Sequence, residues 1–167
     1  MPAGSMGPPA NRMQPISSTA VAAASKKGQP APSAILVSER QRGNPLLQYF
    51  RNVSWEFADI IPDYQMGEQT CALFLSLKYS MVYPKYLNAR MNSVKTAYRT
   101  RVLLCYVDME DPAGPLELVT KAAFINNWSL ICAWSSEEMA RYLETFKAFE
   151  NKGADSLMGE RVEEIRP

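Results

Sequence analysis

Residues 70–77 read Thr70-Cys71-Ala72-Leu73-Phe74-Leu75-Ser76-Leu77, and this uncharged, mostly apolar run decides the fold. A short apolar run of this kind is typical of a strand in a protein core. Runs of the same character, rich in β-branched residues, occur at residues 34–38, 101–107 and 129–134. We therefore predict four core strands.

Segments with helical spacing separate the later strands. Residues 84–98 carry a predicted apolar stripe at Leu87, Met91, Val94 and Tyr98. A second helix is predicted over residues 115–127. Ser135 and Glu138 form a capping box that opens a third helix, which extends to Asn151 with a stripe at Met139, Leu143, Phe146 and Phe149. This alternation predicts an α/β fold of three layers, a sheet with helices on both faces.

Composition limits the domain organisation and the cellular location. Residues 1–33 are rich in Pro, Ala, Ser and Gly with only three cations, and we predict a disordered, weakly basic tail there. The folded domain is predicted at 34–158, and a C-terminal tail at 159–167. Without that first tail, the net charge of +1 becomes about −2, so local patches matter more than the total. With no spanning segment or secretory signal legible, we expect a soluble, intracellular protein.

Several kinds of site are excluded by the residues present. The chain has no histidine, and Cys71, Cys105 and Cys132 are far apart, so we expect buried, reduced thiols and no zinc site. No glycine-rich phosphate loop is present, and Ser135 and Ser136 are interpreted as helix-capping residues rather than nucleophiles. No metal or other cofactor is predicted.

A metal-dependent nuclease would need converging carboxylates and usually a lysine. Asp59, Asp63 and Glu68 precede the strand at Thr70, but the strand itself offers Leu73-Phe74-Leu75. Apolar side chains cannot hold Mg²⁺, and acids in a loop are usually solvated. We therefore predict that the domain is not catalytic.

Residues 69–107 contain no acidic side chain and combine cations with tyrosines. The cations are Lys78, Lys85, Arg90, Lys95, Arg99 and Arg101, and the tyrosines are Tyr79, Tyr83, Tyr86, Tyr98 and Tyr106. This combination is typical of proteins that bind single-stranded nucleic acid, because bases stack on aromatic rings and cations follow phosphates. A solvated helix face with core tyrosines explains the pattern equally well. On the predicted helix, Arg90 and Lys95 flank the apolar stripe on opposite sides.

The same region could instead surround a groove for an extended peptide. Residues 78–79, 83–90 and 40–44 supply the tyrosine and arginine side chains that commonly anchor such ligands. Surface tyrosines half packed on the core are an equally good interpretation of these residues taken alone.

Many ordered segments of the chain resemble one family, from about Ala34 to Met158. They are Val37-Ser38, residues 40–47, Arg51-Asn52-Val53, Trp55-Glu56-Phe57, residues 61–64, residues 70–77, Pro84, Tyr86, Arg90, Val107-Asp108, residues 133–135, Glu137-Glu138, residues 141–145, residues 150–152 and Ala154-Asp155. On these residues the chain resembles the excision repair cross-complementing group one family. Its members are small subunits that partner the xeroderma pigmentosum group F endonuclease.

The resemblance implies a restriction-endonuclease-like fold with a central mixed sheet and without catalytic residues. Leu73-Phe74-Leu75 stands where the nuclease has Glu-Arg-Lys, and Asp63 is the acid that remains. The resemblance also implies a groove for a Gly-rich segment of the xeroderma pigmentosum group A protein, lined by Arg40, Asn44, Ser76, Lys78, Tyr79, Val82, Tyr86 and Arg90. Candidate contacts to single-stranded or junction DNA are Asn44, Lys78, Lys85, Arg90 and Lys95.

The expected role is therefore that of a nuclear scaffold in nucleotide excision repair, interstrand cross-link repair and recombination. A peptide-docking module without DNA affinity is the first alternative, and a metal-dependent nuclease is the second. Lys78 replaces an arginine common in the family and loses its planar fork, so weaker recognition is expected there. Members of the family continue into paired helix-hairpin-helix motifs, whereas this sequence stops at Pro167. We therefore expect an impaired contact with the nuclease subunit.

Overall fold

The computed structural model describes residues 34–151. The predicted tail at 1–33, the end of the predicted domain at 152–158 and the predicted tail at 159–167 lie outside the described residues.

A mixed sheet runs through the middle of the described region. Its strands are β1 (Ile35–Val37), β2 (Trp55–Phe57), β3 (Tyr64–Gly67), β4 (Thr70–Ser76), β5 (Thr100–Tyr106) and β6 (Ser129–Ala133), in the spatial order β2-β1-β3-β4-β5-β6. β3 pairs antiparallel with both β1 and β4, whereas β4, β5 and β6 are parallel to one another. The predicted strands β1, β4, β5 and β6 are confirmed. β2 and β3 were not predicted, because each strand is short and has polar residues among the apolar ones.

Helices cover both faces of the sheet. They are α1 (Leu77–Val82), α2 (Tyr86–Val94), α3 (Ala113–Ile125) and α4 (Ser136–Asn151), and 3-10 turns lie at Glu39–Gln41 and Pro45–Tyr49. The predicted helix over residues 84–98 is too long, because Lys95 has a positive φ of 49° and ends α2 after Val94. Helix α1 was not predicted, and its start depends on the Ser76 hydroxyl, which accepts a hydrogen bond from the Tyr79 amide at 3.0 Å.

The two faces of the sheet bury separate apolar clusters. Alternate residues of β4 point to opposite faces, so Leu73 packs with Leu103 and α1–α3, while Ala72 packs with Leu104 and α4. A strand covered on both faces has no solvated side, and this explains the continuous apolar run that was read from the sequence. The three-layer α/β prediction is confirmed.

Helix α4 is attached to the segment that follows the second 3-10 turn. The Glu144 carboxylate accepts hydrogen bonds from the amides of Arg51 and Asn52, both at 2.7 Å, and from the Asn52 side chain at 3.2 Å. Burial alone would raise the pKa of Glu144, but these donors and the nearby Arg141 outweigh it and lower that pKa. The charged form of Glu144 therefore holds this segment against α4.

Two predictions about buried side chains need correction. Phe149 of the predicted α4 stripe is 52% exposed, whereas Met139 and Leu143 are buried and Phe146 is half-buried. All three thiols are free, but Cys132 is only partly buried, because it lies on the edge strand β6. Among residues 34–151, no helix is both long and apolar enough to cross a membrane.

Candidate binding groove

A groove of about 470 Å³ opens where the parallel strands β4 and β5 end. One wall is the backbone turn at residues 40–45, and the other is formed by tyrosines of α1 and α2. Its lining residues are Arg40, Gln41, Arg42, Gly43, Asn44, Pro45, Phe74, Ser76, Tyr79, Tyr86, Tyr106, Ser136 and Met139. The groove therefore joins segments that are far apart in the sequence.

Asn44 and Gln41 fix the backbone wall. The Asn44 side-chain oxygen Oδ1 accepts from the Leu46 amide at 3.0 Å and caps the second 3-10 turn, while its side-chain nitrogen Nδ2 donates to Gln41 Oε1 at 2.8 Å. The buried Tyr64 hydroxyl donates to the same Gln41 oxygen at 2.8 Å. Gly43, between them, has a φ of 92°, which glycine adopts without strain. This wall is preorganised before any ligand binds.

Asp108, which follows β5, fixes the start of α1. It accepts from the Ser76 hydroxyl at 2.5 Å and from the Lys78 amide at 2.8 Å. Because the Ser76 hydroxyl also accepts from the Tyr79 amide, these groups hold the first turn of α1 against the end of β5. Asp108 was not among the predicted site residues, although its position directly after a core strand was a readable signal.

Tyr79 and Tyr86 form the aromatic wall, and the Tyr83 ring packs against that of Tyr79. The Tyr79 ring lies 4.6 Å from that of Tyr83 and 5.1 Å from that of Tyr86, the latter in an edge-to-face arrangement. Tyr79 is 38% exposed, so part of its ring remains accessible to a ligand. Burial raises the pKa of the Tyr86 hydroxyl, which therefore stays protonated and can donate a hydrogen bond at neutral pH.

Next to Phe74 and Tyr86, Asp63 and Arg90 form a buried ion pair. Arg90 Nη2 lies 2.9 Å from Asp63 Oδ1 and also donates to the Ile61 carbonyl at 3.1 Å. The second Asp63 oxygen accepts from the Phe74 amide at 2.9 Å. Removal from water raises the pKa of the Asp63 carboxyl, against the lowering effects of Arg90 and of the Phe74 amide.

This ion pair corrects two expectations from the sequence. Asp63 is fully buried, so the interpretation as a solvated loop acid is wrong for it, although Asp59 and Glu68 are exposed. Arg90 lies beside the apolar stripe of its helix, but it is 7% exposed and pairs with Asp63, so it is not a free surface charge. Within the described residues, no group of three or more His, Cys, Asp or Glu side chains could hold a metal ion.

The predicted site residues divide into those that line the groove and those that do not. Arg40, Asn44, Ser76, Tyr79 and Tyr86 line it. Lys78 and Val82 lie on the exposed surface of α1, and Arg90 is buried in its ion pair. Of the predicted DNA contacts, Lys85 is exposed where α2 begins, whereas Lys95 lies beyond the other end of that helix.

The structure adds groove residues that sequence reasoning missed. Phe74 and Tyr106 come from adjacent parallel strands, and Ser136 and Met139 come from the first turn of α4. Phe74 was considered only as an apolar replacement for a catalytic residue. Its place at the end of a central strand, where ligand sites of parallel sheets gather, was the signal that could have found it.

Residues 32–153 match the family model described as the binding domain of DNA repair protein Ercc1 (rad10/Swi10). The chain is 52% identical over 128 residues to DNA excision repair protein ERCC-1 of Arabidopsis thaliana, a match that covers 77% of this chain and 31% of that relative. It is 48% identical over 125 residues to mating-type switching protein swi10 of Schizosaccharomyces pombe, covering 75% of this chain and 50% of that one.

The fold is also similar to XPF from Aeropyrum pernix, with a TM-score of 0.59 at 8% identity over 70% of this chain and 61% of that one. At that identity the likeness shows the fold alone. The chain spans only 31% and 50% of the lengths of the two curated relatives described above. The family match covers most of the chain and includes the whole described domain, so this chain belongs to the Ercc1/Rad10/Swi10 family of DNA repair proteins, through the binding domain of that family.

Proposed function

We propose that this chain is a non-catalytic scaffold in nucleotide excision repair that binds DNA and a partner peptide. The partner would be the Gly-rich segment of the group A damage-verification protein, and the scaffold would serve the group F endonuclease, which makes the incision. The observation that carries the proposal is the preformed groove with an aromatic wall, in a domain of a DNA repair family. We infer a nuclear location, because excision repair acts on nuclear DNA.

The chemistry of the groove suits a peptide that is rich in glycine. Tyr79, Tyr86 and Phe74 present ring faces and edges, and a backbone without side chains can approach such rings closely. Asn44 and Ser76 already use part of their hydrogen-bonding capacity within the protein, which fixes the groove in one shape. Preorganisation of this kind lowers the entropic cost of binding.

Exposed cations beside the groove support DNA binding. Arg40, Lys78 and Lys85 are exposed near its rim, and none of them forms an ion pair with another described residue. With Lys95 as a fourth contact to single-stranded DNA, the slope of log affinity against log salt would be about −3, at roughly −0.7 per contact. A slope near zero, measured by fluorescence anisotropy, would refute DNA binding.

Alanine at Tyr79 tests whether bases stack in the groove. If a base stacks on this ring, Tyr79→Ala should weaken DNA binding by roughly 1 to 3 kcal/mol, and Tyr86→Ala should behave similarly. Tyr49→Ala is a matched control, since Tyr49 is 37% exposed against 38% for Tyr79 and lies outside the groove lining. Equal affinities of all three variants and the wild type would exclude stacking at this site.

A peptide-docking module without DNA affinity is the second candidate. It is favoured because two cations near the groove are already used in ion pairs within the fold, Arg90 with Asp63 and Arg42 with Glu39. Parallel titrations of a Gly-rich group A peptide and of DNA decide between the two. If only the peptide binds, and Asn44→Ala weakens it, the docking module is correct.

The absence of catalysis is part of the proposal and has its own test. Asp63 is buried and paired with Arg90, so its carboxylate is not free to bind Mg²⁺. Purified protein incubated with flap or bubble DNA and Mg²⁺ or Mn²⁺ should leave the DNA intact. Cleavage that disappears in Asp63→Ala would overturn the proposal.

A further inference from the structure

Three cations gather at the end of the sheet that lies opposite the groove. Lys95 follows α2 directly. Arg99 immediately precedes β5, and Arg101 is the second residue of that strand. We define these residues as the amino-end basic cluster. β5 runs from Thr100 at this end to Tyr106 in the groove, about 20 Å away at roughly 3.3 Å per residue. The cluster is therefore a separate surface.

Two of the three charges in the cluster, those of Lys95 and Arg99, form no ion pair among the described residues. Both of these side chains are exposed. Two acids lie on the β3–β4 side of this end of the sheet. Glu68 is exposed in the turn between these strands, and Glu150 accepts a hydrogen bond from Thr70 at 3.0 Å.

Arg101 is held in place by its neighbours and does not move freely in solvent. Its guanidinium lies over the Trp128 ring, 5.9 Å from the centroid, and donates to the Lys95 carbonyl at 2.5 Å. Its Nε atom is buried and has no hydrogen-bond partner among the described residues. Arg101 thereby fixes the turn that displays Lys95.

Lys95 occupies a backbone conformation that is costly for a lysine. Its φ of 49° and ψ of −124° lie in a region that glycine adopts readily and other residues rarely do. A residue with a side chain costs stability at such a position, and outliers of this kind concentrate at functional sites. Here the side chain is an exposed cation that forms no ion pair with any residue between 34 and 151.

We propose that the amino-end basic cluster is a second contact surface for the DNA backbone, separate from the groove. The proposal rests on the DNA-binding half of the proposed function. Lys95 and Arg99 contact phosphates, and Arg101 is a positioning residue that holds the turn. A DNA strand that meets this surface contacts the protein about 20 Å from the groove, so the peptide groove and the cluster can be occupied together.

The test compares Lys95→Gly/Arg99→Ala with the wild type of the full chain, using a fluorescent single-stranded oligothymidine and salt from 0.05 to about 0.5 M. Loss of two phosphate contacts should make the log-log slope shallower by about 1.4. If both affinities converge near 1 M salt, that slope change is about a 25-fold loss of affinity at 0.1 M. Lys121→Ala, which removes an exposed lysine of α3, should leave the slope unchanged.

Single substitutions at Lys95 distinguish an effect on stability from an effect on DNA binding. Lys95→Gly should raise the melting temperature, because it relieves the backbone strain, while it weakens DNA binding. Lys95→Arg should retain the wild-type slope. A protein that becomes more stable and binds less DNA cannot have lost affinity through unfolding.

The outcomes distinguish this inference from the proposed function. If wild-type protein shows no salt-dependent DNA binding, both are refuted. If Lys78→Ala beside the groove weakens binding while Lys95→Gly/Arg99→Ala binds as the wild type does, the basic cluster and the Lys95 contact are refuted, and DNA binding at the rim of the groove stands. If the double variant loses slope and Lys121→Ala does not, the cluster is established as a phosphate contact.

Discussion

Replacing Arg90 by methionine should destabilise the protein strongly, because it leaves the Asp63 carboxylate buried without its counter-charge. The pair is 2.9 Å apart, and the two side chains are 9% and 0% exposed. At an effective dielectric constant of about 20, the attraction at this distance is roughly 6 kcal/mol. Desolvating each ion costs several kcal/mol, so the intact pair contributes little net stability.

Removing one partner is different, because the desolvation cost of the other remains. Arg90→Met is expected to lose about 3 to 5 kcal/mol, the range for breaking buried pairs. A domain of this size is stable by roughly 5 to 15 kcal/mol, so the loss is large but leaves a measurable folded population in most of that range.

Urea unfolding followed by tryptophan fluorescence measures the effect, with Trp128 as a buried reporter at 5% exposure. The double variant Asp63→Asn/Arg90→Met should lose less than the sum of the two single losses, since it removes both charges. Lys121→Met is the control, because its partner Glu117 is 3.7 Å away and both side chains are about two-thirds exposed, at 67% and 68%. It should cost under about 1 kcal/mol. An equally small cost for Arg90→Met would refute the buried-pair reasoning.

Three further predictions concern groups outside this pair. Because folding lowers the pKa of Glu144, its charged form stabilises the fold at pH values above the ordinary pKa of 4.5, and this contribution is lost as the pH falls through the lowered pKa. Glu144→Gln should therefore cost about 1 to 3 kcal/mol of unfolding free energy at pH 7 and little at pH 2, as measured by urea unfolding at both pH values. Burial raises the pKa of Cys71 and of Cys105 to about 12, so both thiols should resist a disulfide reagent at pH 8 in the folded protein. Cys132 should react first, because it is only partly buried. Rapid reaction of all three thiols without denaturant would contradict the buried environment. Asn44→Ala should lower stability by about 1 kcal/mol through loss of its cap, with a corresponding shift of the urea midpoint, and an unchanged midpoint would count against the cap.

The buried strands and long helices could be predicted because their pattern is local. The run at residues 70–77 and the capping pair Ser135 and Glu138 each report on a few adjacent positions. In the structure the Ser135 hydroxyl does accept from the Glu138 amide at 3.1 Å, although the Glu138 side chain accepts from Trp134 rather than from the capping residue. Helix α1 and the short strands β2 and β3 carried no comparable local signal.

The groove could be predicted only in part. Tyr79 and Tyr86 are on its wall as the sequence suggested, but Phe74 and Tyr106 join them only because β4 and β5 pair in parallel register. Lys78 and Lys95 carry the same charge, but Lys78 lies on α1, whereas Lys95 lies beyond the far end of α2. Composition alone cannot separate two surfaces that the fold holds apart.

The sequence by itself determined the layered α/β core, the family and the concentration of positive charge with tyrosine in residues 69–107. Only the tertiary structure decided which of those charges are available, since Arg90 is neutralised by Asp63 whereas Lys95 and Arg99 are unpaired within the described domain. The physical reason is that the free energy of a charge depends on its distance from a counter-charge and from water. Chain positions 27 residues apart acquire such a distance only when the sheet and α2 pack together.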